Sequence, residues 1–110
     1  MSTDEQTRGR IGALVREHRI LLFMKGKRDA PQCGFSAAVV QVLDALGCDY
    51  HTVDVLADPQ LREGIKEYAN WPTVPQLYVS GEFQGGCDIV REMYTRGELQ
   101  QMLELPQVGA

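Results

Sequence analysis

Apolar positions along this chain change period several times, and each change marks an element. Ile11, Leu14, Val15 and His18 share one face of a helix, the first amphipathic segment, whose start Gly9 and Gly12 leave open. Residues 20–24 are continuously apolar and short, which predicts a strand covered on both faces. Val39, Val42, Leu43 and Leu46 form the inner stripe of a second helix, beginning near Phe35 and ended by Gly47. Residues 50–55 alternate and read as a second strand. Asp58-Pro59 is an N-cap followed by a first-turn proline, and Leu61, Ile65 and Tyr68 carry a third helix onward. The pattern breaks at residues 71–75. A short strand over 76–79, a turn at Ser80-Gly81 and a return strand over 82–84 follow. Gly85-Gly86 then opens a last helical region that is interrupted at Gly97. A strand-helix-strand unit followed by a hairpin predicts an α/β fold, with a small mixed sheet and helices on both faces.

Composition adds limits. The chain has 110 residues, suited to a single domain and one core, with no repeat or internal linker. Its net charge of -4 speaks against nucleic acid as the main partner. No apolar run approaches the roughly 20 residues of a membrane span. The opening residues carry early acids and no apolar stretch, so neither a secretory nor a transit leader is expected. The three cysteines, at 33, 48 and 87, form no Cys-x-x-Cys pair, which predicts neither a zinc site nor a disulfide framework. A reducing, cytoplasmic setting fits them best.

Chemistry concentrates at Cys33-Gly34-Phe35-Ser36. A thiol between an apolar strand and a helix start faces unpaired N–H groups and the positive end of the helix dipole, which favour the thiolate. The residue three positions on is Ser36, so the thiol has no local partner for a disulfide. Cys48, just past a helix-ending glycine, reads as a small structural residue. His18 and His51 have no partner motif and read as packing or surface residues, and Trp71 and Tyr68 as core or rim aromatics.

Other motifs suggest a pocket for a small anionic thiol around Cys33. Lys25 follows the first strand at its C-terminal end, where open sheets place ligands, and Arg62 projects from the third helix. The two cations read either as a carboxylate clamp or as solvated surface charges. At Thr73-Val74-Pro75 the proline interrupts pairing, leaving the Val74 backbone free for an extended peptide; the other reading is a plain turn. A cis Val74-Pro75 bond would turn those groups toward the pocket. Gly85-Gly86-Cys87-Asp88 opens a helix with free N–H groups, a natural carboxylate site. Asp88 beside it can accept from an ammonium or act as an ordinary N-cap. Cys87 offers chiefly its backbone N–H.

Four motifs in order, Lys25-Gly26, Pro31 with Cys33-Gly34-Phe35-Ser36, residues 71–79, and Gly85-Gly86-Cys87-Asp88-Ile89, resemble the monothiol glutaredoxins of the Cys-Gly-Phe-Ser class. The resemblance covers about residues 10 to 104, with frayed tails on either side. It implies a thioredoxin fold with a cis proline at Pro75, and a glutathione site. In that site Lys25 and Arg62 hold the glycine carboxylate, Val74 pairs with the peptide backbone, and Cys87 and Asp88 bind the γ-glutamyl end. The loop over residues 27–30 is more charged than is usual for such proteins. A 2Fe-2S cluster wants four thiolates. One chain offers one activated thiol, Cys33, and the resemblance implies that two chains and two glutathiones complete the set in a cluster-bridged homodimer. The function so implied is delivery of clusters to apo-proteins, with a BolA-type protein as a partner. The alternative is a glutathione-dependent thiol-disulfide oxidoreductase acting on mixed disulfides through Cys33.

Overall fold

The computed structural model describes residues 4–103; the frayed tail expected after Leu105 lies outside the described residues. The first helix, α1 (Glu5–Glu17), starts well ahead of its apolar stripe because Asp4 caps it: the Asp4 carboxylate accepts from the Thr7 N–H at 2.7 Å. Strand β1 (Ile20–Met24) follows. Two two-residue strands, β2 (Gly26–Lys27) and β3 (Ala30–Pro31), then make a small hairpin where the sequence reads only as a charged loop. Helix α2 (Gly34–Leu46) ends at Gly47 in the left-handed region (φ 69°), which a side chain would strain.

Strand β4 (His51–Asp54) is shorter than the alternating stretch suggests. Tyr50 falls outside it, its hydroxyl donating to Asp44 at 2.8 Å, and Val55 already begins a 3-10 turn capped by Asp54. Then come α3 (Pro59–Ala69), β5 (Gln76–Val79), β6 (Glu82–Gly85), α4 (Cys87–Thr95) and α5 (Glu98–Met102). The sheet order is β4-β1-β5-β6, with β4 parallel to β1 and the other neighbours antiparallel.

Strand parity divides the core. Ile20, Leu22, Met24, Leu77 and Val79 face α2, α4 and α5, packing on Val39, Leu43, Val90 and Leu99. Leu21, Phe23 and Tyr78 face the other way, onto Ile11, Val15, Leu61 and Ile65 of α1 and α3. All five β1 residues are buried, as a central strand covered on both faces must be. The expected mixed sheet with helices on both sides is therefore the one formed. Among the described residues no helix is long and apolar enough to cross a membrane.

Asp58 joins two helices. One carboxylate oxygen caps α3, accepting from Leu61 N–H at 3.1 Å, and the other accepts from Arg10 of α1 at 2.8 Å. Arg10 is the larger of the influences that hold this carboxyl below its usual range. A depressed carboxyl stabilises the fold above its unfolded value, and the contribution is lost as pH falls through the folded one. Asp58→Ala is therefore expected to cost about 1 kcal/mol at pH 7, with the deficit shrinking below about pH 4. Urea denaturation at pH 7 and pH 3 checks it; equal deficits at both would remove the charge from the explanation.

Candidate functional site

Cys33 is the N-cap of α2, in extended conformation (φ -153°, ψ 136°), so the first turn of the helix offers its N–H groups to the sulfur. The Ser36 amide is the largest influence holding the thiol below its ordinary range. Burial opposes it, while the Phe35 amide, the charge of Lys25 and the Ser36 hydroxyl assist. The serine at the fourth motif position is more than an absent cysteine. Its side chain is buried, and its Oγ accepts from the Lys25 N–H at 3.1 Å, tying the end of β1 to the first turn of α2. Gly26 N–H donates to Asp54 at 2.9 Å, securing the same corner to the end of β4. The chemistry of the hydroxyl is not legible from the motif, since nothing in the sequence aims it at residue 25.

All three cysteines are free, Cys33 half-buried and the other two buried. Cys48 sits under the α2 terminus, and burial pushes its thiol up. Cys33 is thus expected to alkylate at a lower pH than Cys48, and Ser36→Ala to raise the Cys33 midpoint by removing a hydrogen bond to the thiolate. Iodoacetamide labelling followed across pH by mass spectrometry reads both. An unmoved midpoint would deny the hydroxyl any part in the activation.

An open cavity of about 410 Å³ is lined by Phe35, two residues after Cys33, and by Trp71, Thr73, Val74, Pro75, Gly86, Cys87, Asp88 and Ile89; Cys33 itself is not among the lining residues. Three sequence-predicted residues, Val74, Cys87 and Asp88, line it together. The Val74-Pro75 bond is cis. Cys87 opens α4 after Gly86, and Asp88 lies exposed in the first turn. Gly86 leaves room for a close approach: a Cβ there would meet the Pro75 carbonyl oxygen and Trp71 Nε1 at 3.2 Å, tighter than ordinary contact. Neither cation lines the cavity; the charge of Lys25 helps hold the Cys33 thiol below its ordinary range. Arg62 stands on α3 outside the cavity lining, half-buried, with its Nε enclosed and without a hydrogen-bond partner among the described residues. The sequence reading passed over Phe35 and Ile89, large apolar residues left 63% and 36% exposed on the cavity rim. Their exposure on otherwise apolar helix starts is a property of the fold, not of the pattern.

Elsewhere, His18 and His51 pack on each other, rings stacked at 3.8 Å. Burial and the neighbouring ring both hold His51 below its ordinary range. The charged segment over residues 27–30 is fastened rather than loose. Arg28 bonds Asp44 through Nη2 and Nε, at 2.6 Å and 3.0 Å, and lies 4.2 Å over the Tyr50 ring.

The glutaredoxin family model matches residues 20–84, more than half of the chain. The chain belongs to the monothiol glutaredoxin family. An uncharacterised monothiol glutaredoxin of Synechocystis is 57% identical over 91% of this chain and 94% of its own length. Among solved structures, reduced apo GrxS14 of poplar superposes with a TM-score of 0.77 at 50% identity, covering 88% of this chain and 89% of that one. A buckwheat glutaredoxin in complex with glutathione superposes with a TM-score of 0.81 at 25% identity, covering 91% and 89%. The thioredoxin-fold architecture of this glutaredoxin is the one the sequence motifs imply.

Proposed function

We propose that this monothiol glutaredoxin binds glutathione in the cavity beside Cys33 and carries a 2Fe-2S cluster as cargo between two copies of itself. The observation that carries the reading is the half-exposed Cys33 thiol, held toward its anion by the Ser36 amide, two residues before Phe35 of the cavity lining. Four thiolates hold such a cluster. In this reading one chain supplies a single activated thiol, and the remaining thiolates come from outside the chain. Two Cys33 thiolates and two glutathione thiols complete the set. The glutathione complex of the buckwheat relative supports the ligand. Val74 is suited to pair with its peptide backbone, Cys87 and Asp88 with its γ-glutamyl end, and Lys25 with Arg62 to attract its glycine carboxylate. Family resemblance supports apo iron–sulfur proteins as recipients and a BolA-type protein as partner. Three free cysteines suit a reducing compartment, the cytoplasm in this reading.

Size-exclusion chromatography with visible absorbance tests the proposal. The apo-protein is expected to run as a monomer, and loading with iron, sulfide and glutathione to give a coloured dimer. Mercaptoethanol in place of glutathione should give a less stable one. A coloured monomer, or a dimer equally stable without glutathione, overturns the bridged mechanism. A colourless protein that turns over a glutathione mixed disulfide would favour the oxidoreductase reading, which the same activated thiol supports.

A further inference from the structure

Gln76 is out of place by composition. It sits in β5 beside Leu77, Tyr78 and Val79, and its side chain is fully enclosed, 0% exposed. A buried carboxamide is costly unless its donors and acceptor are all used. Here they are. Nε2 donates to the Trp71 carbonyl at 3.1 Å and to the Thr73 carbonyl at 3.3 Å, and Oε1 accepts from the Tyr78 hydroxyl at 3.3 Å. Strand parity places Gln76 and Tyr78 on one face of the sheet. The Tyr78 ring is itself fixed, edge-on to Phe23 at 5.7 Å and tilted against Phe83 at 5.5 Å, with 1% of its surface exposed. The hydrogen-bond chain therefore begins in rigid core and ends on the loop that joins α3 to β5.

What it grips there matters. The Thr73 carbonyl and the Val74 N–H belong to one peptide unit, which is planar and trans, the only cis bond among the described residues being the next one. In such a unit the C=O and N–H point in opposite directions. A donor that fixes the carbonyl on the core side fixes the N–H on the other, where Thr73 and Val74 line the cavity. Val74 itself lies outside the β1–β5 ladder, which begins at Gln76.

We propose that Gln76, seated on Tyr78, is a positioning residue that aims the Val74 amide at the peptide backbone of glutathione. The inference rests on the glutathione reading above and adds a residue that never touches the ligand. Its test is calorimetric titration of reduced glutathione into wild type, Gln76→Met, Gln76→Glu and Tyr78→Phe. Losing both grips on the loop is expected to weaken binding roughly 10-fold in Gln76→Met. Gln76→Glu should be weaker still, because a carboxylate cannot donate to either carbonyl. Tyr78→Phe keeps the ring and the grip but frees the amide oxygen, for a loss of about 3-fold. In the folded variants the pH midpoint of Cys33 alkylation should not move, since Ser36, Phe35 and Lys25 set it; a general loosening would move it too. Unchanged affinity in folded Gln76→Met overturns the proposal, as does a loss matched by a shifted Cys33 midpoint. If Gln76→Met does not fold, Tyr78→Phe decides, and undiminished affinity there overturns it. A wild type that fails to bind glutathione is a different result, which removes the functional reading itself.

Discussion

Cys33→Ser is expected to abolish cluster assembly and leave a colourless monomer, while Cys48→Ser assembles nearly as wild type does. Serine is a close steric match at an N-cap, and Cys33 makes no side-chain capping bond, so helix α2 should survive the change. What is lost is the thiol that the Ser36 and Phe35 amides hold toward its anion. A hydroxyl has no comparable anion at neutral pH, and the N–H groups of Ser36 and Phe35 cannot create one. Cys48 is buried beneath the opposite end of α2, with its sulfur within 3.7 Å of the Leu43 carbonyl oxygen. Its substitution touches local packing and one weak thiol hydrogen bond, not the activated thiol. Iron and acid-labile sulfide per chain, measured after anaerobic reconstitution, read the outcome. Stoichiometric iron and sulfide in a Cys33→Ser dimer would show that another residue is the ligand.

Asp88→Ala and Lys25→Ala should each weaken glutathione binding by roughly 10- to 100-fold, the equivalent of one charge-assisted hydrogen bond. Asp88 lies in the first turn of α4 on the cavity wall, and on the glutathione reading proposed above it is the acceptor for the ligand's ammonium. Lys25 follows β1, and its charge helps hold the Cys33 thiol below its ordinary range. The two variants are expected to differ in a second readout. Lys25→Ala should also raise the Cys33 alkylation midpoint, and Asp88→Ala should not. Affinity unchanged in both would return the residues to the solvated surface.

Much of this was open to a reader of the sequence. Uninterrupted apolarity marked β1 as central, and Gly47 and Asp58 marked helix ends, because these signals are local: one residue, one backbone requirement. Val74, Cys87 and Asp88 line one cavity because the loop entering β5 and the turn leaving β6 lie at the same end of that antiparallel pair, and their motifs mark both segments. The polar residues that hold those loops were not visible. Ser36 and Gln76 each look like one polar interruption in an apolar run, and only the folded chain supplies their partners at residues 25, 71, 73 and 78. The same holds for Arg28, whose carboxylate lies 16 residues away on α2. The sequence pairs Lys25 and Arg62 in role, and neither is among the residues that line the cavity.

The corner beneath Cys33 carries an evolutionary consequence. The amides of Lys25 and Gly26 are held by Ser36 and by Asp54 respectively, and Asp54 also receives the Leu56 N–H at 2.9 Å. Three elements far apart in the chain therefore share one small set of hydrogen bonds. Substitutions at residues 36 and 54 should be epistatic: each is tolerated or not according to the state of the other. The reactivity of the thiol is in this sense inherited as a group, and drift at Asp54, in a different strand, is constrained by chemistry at Cys33.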